Sequence, residues 1–213
     1  MILVTGGLGY IGENFIRKHP DESFSYDIKL GQDVLDENLL ESYMLMVDTV
    51  VHLAAISGIG ACEKGVPEAV LNNIMGTLTV CRLASKHGVK IVYASSQAVH
   101  RDSVYGLSKK IGERIVSYYD GVSLRFSNVW GGDNYLRMKD SAIARLNKGT
   151  WEDRGDDAEV RDFIHVDDVC NRIYESISYP SGVYDVCSGV KITIGELQER
   201  FKLGEYRMGP IVS

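Results

Sequence analysis

An α/β chain built on a doubly wound, mainly parallel sheet is what the sequence predicts, on three observations. The first twelve residues, M-I-L-V-T-G-G-L-G-Y-I-G, set an apolar run suited to a buried parallel strand directly before a glycine turn and an amphipathic stretch. Further apolar runs, 48–55 and 90–94, alternate with longer helical patterns, the rhythm of parallel strands joined by crossover helices. An acid, Asp27, closes the second candidate strand. A chain of 213 residues, 45% hydrophobic, is long enough to bury one sizeable core, so a single domain over 1–213 with a small appended lobe is expected.

Charge and cysteine usage narrow the partners. A net charge of −6 with five histidines gives no basic field for nucleic acid or an anionic membrane. Cys62, Cys81, Cys170 and Cys187 are widely spaced without a C-x-x-C, the chain begins directly in a strand, and no apolar run approaches a membrane span. Reduced thiols, a cytoplasmic location, no membrane and no metal are expected.

Taken in order, Gly6, Gly9 and Gly12 are spaced G-x-x-G-x-x-G. Glycine at such a turn allows φ > 0 and a close approach of backbone to ligand. The helix that follows, Tyr10 to His19, offers free N–H groups and a positive dipole end to a pyrophosphate. A tight βα turn with no ligand would use the same residues. Ser23 to Asp27 is a short strand ending in an acid, where a Rossmann-like unit needs one to accept hydrogen bonds from ribose hydroxyls. That acid disfavours a 2′-phosphate, so NAD is preferred over NADP, a preference Lys29 weakens slightly. Asp33 to Asp36 follow almost at once, so an outer third strand is tiny or merged into a loop. Asp36 caps a helix to about Met46. Asp48 to Ala55 is a buried strand ending in small residues that let the chain pass close to a ligand. Gly58 and Gly60 shape the next loop, Pro67 opens a helix over Glu68 to His87, and Gly88 ends it. Lys90 to Ala94 is a further strand, leading into Ser95 and Ser96.

The chemistry gathers next. Tyr105 and Lys109 stand four apart at a helix start, Y-G-L-S-K, on one face about one turn apart. An ammonium near a phenol favours the phenolate and lowers its pKa from about 10, as an acid–base catalyst requires. Ser96, at the end of the preceding strand, can hydrogen-bond the reacting oxygen. A lone Tyr-x-x-x-Lys is more often a surface pair; the glycine turn and the serine-ended strand upstream reverse that reading.

Eight blocks, T-G-G-L-G-Y-I-G (5–12), H-L-A-A (52–55), N-I-M-G-T (73–77), V-Y-A-S-S (92–96), Y-G-L-S-K (105–109), L-R-F-S-N-V-W-G (124–131), R-D-F-I-H-V-D-D-V (161–169) and Y-D-V-C-S-G (184–189), occur in an order that resembles the extended short-chain dehydrogenase/reductases, in particular the NAD-dependent epimerase/dehydratase branch acting on nucleotide sugars. The resemblance implies a Rossmann-like, doubly wound, mainly parallel sheet with a small C-terminal substrate lobe built from about 128–162 and 178–213. It implies that Gly6, Gly9, Tyr10, Ile11 and Gly12 hold a pyrophosphate and Asp27 the adenosine ribose. Asp33 and Val34 would lie by the adenine, Leu53, Ala54 and Ala55 along the middle of the cofactor, and Asn73 would support the site from the long helix. Lys109 would also hold the nicotinamide ribose, and Phe126 would lie on the nicotinamide side. Asn128 and Arg161 match positions that contact a sugar-nucleotide diphosphate; for Arg161 a structural pair with Asp162 or Asp167 stands at even odds with that role. His52 and His165 read as packed histidines, and Asp167 and Asp168 as N-terminal acids of a helix over Val169 to Ile177. A homodimer through the long helix and the Tyr/Lys helix is implied as well.

Three shortenings depart from the pattern: between Asp27 and Asp33, between Ser96 and Tyr105, and after Gly195 to Phe201. All fall on the periphery or the substrate side. Gln97 and Ala98 stand where dehydratase relatives carry an acid pair, so a 4,6-dehydratase lacks its acid–base groups here. His100 replaces the tyrosine common at that point, a difference without a structural explanation. The reading placed first is an NAD-dependent epimerase of a nucleotide-linked sugar; second, an NAD(P)-dependent dehydrogenase or ketoreductase on a sugar or smaller carbonyl compound; third, a non-enzymatic dinucleotide sensor, which has no need of the Tyr–Lys pair.

Overall fold

The run Ile-Leu-Val-Thr forms β1 (Ile2–Thr5), buried on both faces, and the rest of the large sheet grows out from it on either side. The computed structural model describes residues 1–134, 141–150 and 158–206; parts of the expected lobe, 135–140, 151–157 and 207–213, lie outside the described residues. After β1 come α1 (Tyr10–Lys18), β2 (Ser23–Tyr26), α2 (Glu37–Met44), β3 (Thr49–His52), α3 (Ile59–Lys64), α4 (Val66–Val70), α5 (Gly76–Lys86), β4 (Lys90–Ser96), α6 (Val104–Tyr118) and β5 (Val122–Phe126). Then follow β6 (Asn128–Trp130), α7 (Ala142–Asn147), β7 (Val160–His165), α8 (Val166–Glu175), β8 (Gly182–Val186), β9 (Lys191–Thr193) and α9 (Ile194–Lys202).

The large sheet runs β2-β1-β3-β4-β5-β8 with every neighbouring pair parallel. Alternation along each strand sends its apolar residues to two separate cores. Ile2, Val4, Val51, Val92 and Leu124 meet Phe15 of α1 and Val169 and Ile173 of α8 on one face. Leu3, Val50, Ile91 and Tyr93 meet Leu40 of α2, Val80 and Leu83 of α5 and Val116 of α6 on the other. This is the doubly wound, mainly parallel arrangement that the sequence predicts. A second sheet, β6-β7-β9, pairs β6 with β7 in parallel and β7 with β9 antiparallel, and buries Phe163 and Ile192 against Ile143 of α7 and Leu197 of α9.

Four local outcomes bear on the site. Residues 27–36 hold no strand: a 3-10 turn, Ile28–Leu30, is capped by the Asp27 carboxylate and released at Gly31 with φ +75°, so β2 is the sheet edge. The long helix is not uniform, because a π turn at Leu71–Met75 separates α4 from α5. The helix α8 begins three residues before its expected start at Val169, with His165 as N-cap: its Nδ1 accepts from Asp167 N at 3.2 Å, and Asp167 and Asp168 fall in the first turn. His52 is packed inside, its Nδ1 2.7 Å from Thr5 Oγ1 and its Nε2 3.1 Å from Thr77 Oγ1, and burial drives its pKa down to about 3. Among the described residues the four cysteines are free thiols, and no helix is long and apolar enough to cross a membrane.

Candidate active site

Parallel strands bring their carboxyl ends to one side. The residues at or just past the ends of β1, β3, β4 and β5, namely Gly6, Leu53, Ser96 and Phe126, line a single cleft of about 680 Å³.

At one end of the cleft the glycine turn has no room for side chains. Gly6 has φ +70°, and a Cβ there would fall 2.8 Å from Ala54 N; one on Gly12 would fall 2.5 Å from Gly6 O. Gly9 is the N-cap of α1 and supplies no capping side chain, which leaves the N-terminal N–H groups to whatever occupies the cleft. Tyr10, Ile11 and Gly12 line the wall there. Asp27, only 6% exposed, accepts from Leu8 N and Lys29 N, each at 2.9 Å, and Lys29 Nζ donates back to Leu8 O at 2.7 Å. These bonds fix the carboxylate at the cleft wall with Asp33 and Val34 beside it; Leu53, Ala54 and Ala55 continue the wall. A side-chain-free turn at a helix N-terminus beside a fixed carboxylate is the donor set that suits a pyrophosphate and a ribose diol, so the residues fit an adenine dinucleotide.

At the other end Ser96 Oγ accepts from Ala98 N at 3.1 Å and lines the cleft together with Tyr105. Tyr105 lies in the first turn of α6, which Ser103 caps by accepting from Gly106 N at 3.0 Å. Lys109, one turn on, donates to Ala94 O at 2.7 Å. Behind them Glu113 of α6 takes a bidentate pair from Arg125 of β5, both bonds 2.8 Å, and a hydroxyl bond from Ser95 at 2.5 Å, which pins β4, α6 and β5 together. Tyr105 is half-buried with one side to the cleft; the protein packed round its hydroxyl pushes the phenol up to about 12, an effect the nearby Ser96 hydroxyl partly offsets. Burial likewise brings the Lys109 ammonium down to about 8. The expectation that the ammonium lowers the phenol is thereby corrected: desolvation of both groups outweighs their proximity.

Phe126 and Asn128 also line the cleft, Asn128 Nδ2 donating to Asp162 O at 3.0 Å. Asn73 and Arg161 do not line it. Asn73 stands behind the wall, where its Oδ1 accepts from Ile56 N at 2.8 Å and its Nδ2 donates to Ile56 O at 3.0 Å and Ser108 Oγ at 3.1 Å. Asn72 takes the lining position in its stead. Arg161 Nη2 is 2.5 Å from Glu159 Oε2, a partner other than Asp162 or Asp167. Asp162 instead accepts from Ser127 Oγ, Ser188 N and Gly189 N at 2.6, 2.9 and 2.8 Å. Sequence reasoning missed Gln32, Ser141, Ala142 and Phe163 in the lining. Phe163 lies inside the R-D-F-I-H-V-D-D-V block, whose spacing does not say which of its residues reach the cleft; Ser141 and Ala142 carry no motif.

The model of the NAD dependent epimerase/dehydratase family matches residues 2–186. A UDP-glucose 4-epimerase of Halalkalibacterium halodurans is 26% identical, over 93% of this chain and 78% of the relative. A dTDP-glucose 4,6-dehydratase of Mycobacterium tuberculosis is 29% identical, over 78% of this chain and 65% of the relative. Among solved structures, MoeE5 in complex with UDP-glucuronic acid and NAD superposes with a TM-score of 0.84 at 25% identity, over 96% of this chain and 82% of that one.

Proposed function

The chain belongs to the NAD-dependent epimerase/dehydratase family, and on that premise we propose that it is an NAD-dependent epimerase of a nucleotide-linked sugar. The observation that carries this is the meeting, in one cleft, of the glycine turn and Asp27 at one end with Ser96, Tyr105 and Lys109 at the other. The turn, Asp27 and the wall from Leu53 to Ala55 would hold NAD, which when bound would supply reversible hydride acceptance at a sugar carbon. Tyr105 removes the proton of the sugar hydroxyl at its phenolic oxygen and gives it back. Ser96, which lines the cleft with Tyr105, holds the reacting oxygen between them. Lys109 keeps a positive charge near the phenolate. Asn128 takes part in binding the sugar nucleotide, and Ser141, Ala142 and Phe163 line the cleft on the substrate side. At Gln97 the amide donates to Asp185 Oδ1 at 2.8 Å and Ala98 has no polar group, which supports epimerisation over elimination of water. Exposed Leu71, Met75 and Leu107 on the long helix and α6 support a homodimer, to be read from the mass in solution.

The test is incubation of the purified protein with NAD and UDP-glucose or UDP-galactose. Interconversion without net NADH is expected. NADH accumulating in step with product would make the protein a dehydrogenase, and failure to interconvert any UDP-sugar would remove the substrate assignment.

A further inference from the structure

Two consecutive residues of β4 seat the Lys109 ammonium. Ala94 O accepts from it at 2.7 Å, and the ring of Tyr93 lies beneath it with its centroid 4.8 Å from Nζ. That is inside the range in which the negative face of an aromatic ring attracts a cation, and nearer than the Tyr105 ring, whose centroid is at 5.9 Å. Tyr93 is 1% exposed and Lys109 3%, so water does not compete for the charge.

The ring cannot swing away. It stacks on His52, with centroids 5.7 Å apart and planes at 30°, and its hydroxyl end is closed by Gly112 of α6, where a Cβ would fall 2.3 Å from Tyr93 Oη. The titratable groups facing Lys109 are Cys62 of α3, His52 of β3, Tyr93 of β4 and Tyr105 of its own helix, all neutral at neutral pH. Among the described residues no carboxylate holds the ammonium.

We propose that Tyr93 is a positioning residue for Lys109: the face of its ring, rather than its hydroxyl, seats the ammonium and keeps it charged inside the site. This rests on the acid–base reading of Lys109 and is independent of which sugar is turned over.

Lysine isotopically labelled at Cε reports the ionisation of Lys109 by NMR, its resonance being the one lost in Lys109→Met. Tyr93→Phe should leave the titration midpoint in place and kcat/KM within about twofold of the native value. Tyr93→Leu should lower the midpoint by about one pH unit and move the pH–rate profile with it. Tyr93→Met, which refills the space with an unbranched chain, should match the leucine variant and replaces it if that variant does not fold. A midpoint that stays or rises in the aliphatic variants overturns the proposal, as does a phenylalanine variant that behaves like the leucine one. The midpoint is read without substrate, so it succeeds or fails separately from the epimerase assignment, which falls only if the native protein turns over no UDP-sugar.

Discussion

At Tyr105 and Lys109 the same burial acts in opposite directions. It raises the phenol to about 12 and lowers the ammonium to about 8, so on the proposed mechanism the two groups are in their working states together only over a limited range. Below the phenol value, each pH unit multiplies the phenolate fraction tenfold; above about 8 the ammonium discharges. We therefore expect kcat/KM to climb from pH 6 towards about 8 and then flatten, read from initial rates across that range. Stability should follow the lysine. Between about 8 and its ordinary 10.5 the unfolded chain binds a proton that the folded chain does not, so stability rises with pH across that window and the burial cost is fully present below it. Thermal melts should accordingly show Lys109→Met above the native protein at pH 7, with the gap closing as pH approaches 10.5. The four-residue spacing showed that Tyr105 and Lys109 share a face; how much protein covers that face comes from β3, β4 and α3, which no local pattern encodes. Arg161 carries a similar lesson. Asp162 and Asp167 are one and six positions away, whereas the partner is Glu159, two positions back at the residue before β7.

Among the elements, the long helix shows best where periodicity stops being informative. Its apolar spacing marks one helix from Pro67 to Gly88, yet the π turn at Leu71–Met75 adds a residue to one turn, and Val70, Leu71 and Met75 stand exposed while Val80, Cys81 and Leu83 beyond it are buried. The extra residue faces Asn72 to the cleft and turns Asn73 inward onto both backbone groups of Ile56. Asn73→Ala leaves Ile56 N–H without its partner, while Ile56 O keeps Cys62 Sγ and Ser108 Oγ keeps Tyr105 O, and should destabilise the protein by about 1–3 kcal/mol, measured as a lower urea midpoint at unchanged slope. The missing outer strand, by contrast, was legible from chain length alone, because the residues between Asp27 and Asp33 are too few to cross the sheet and return. The strands β6 and β9 have three residues each, too short for alternation to register.

For the molecule as a whole, the alternation of strands and helices foretold the two-faced sheet, and the shared direction of its strands places Gly6, Leu53, Ser96 and Phe126 on one rim. What joins the second sheet to that rim was not visible in sequence: Tyr10 Oη donates to Gly131 O at 2.7 Å, Asn14 Nδ2 to Asn134 Oδ1 at 2.8 Å, and Arg17 meets Asp133 at 2.6 Å, each linking residues more than a hundred positions apart. The all-parallel order also governs how the chain is assembled. No two strands of the large sheet can close through a tight hairpin, and the ladder on β5 joins Val122 to Gly182, about sixty positions later. A nascent chain emerging from the ribosome therefore carries β5 with a bare edge, open to pairing with another chain, until β8 has been synthesised. Chains halted before Gly182 should pellet on release while those reaching past Val186 stay in solution, which would make β8 the strand that closes the large sheet.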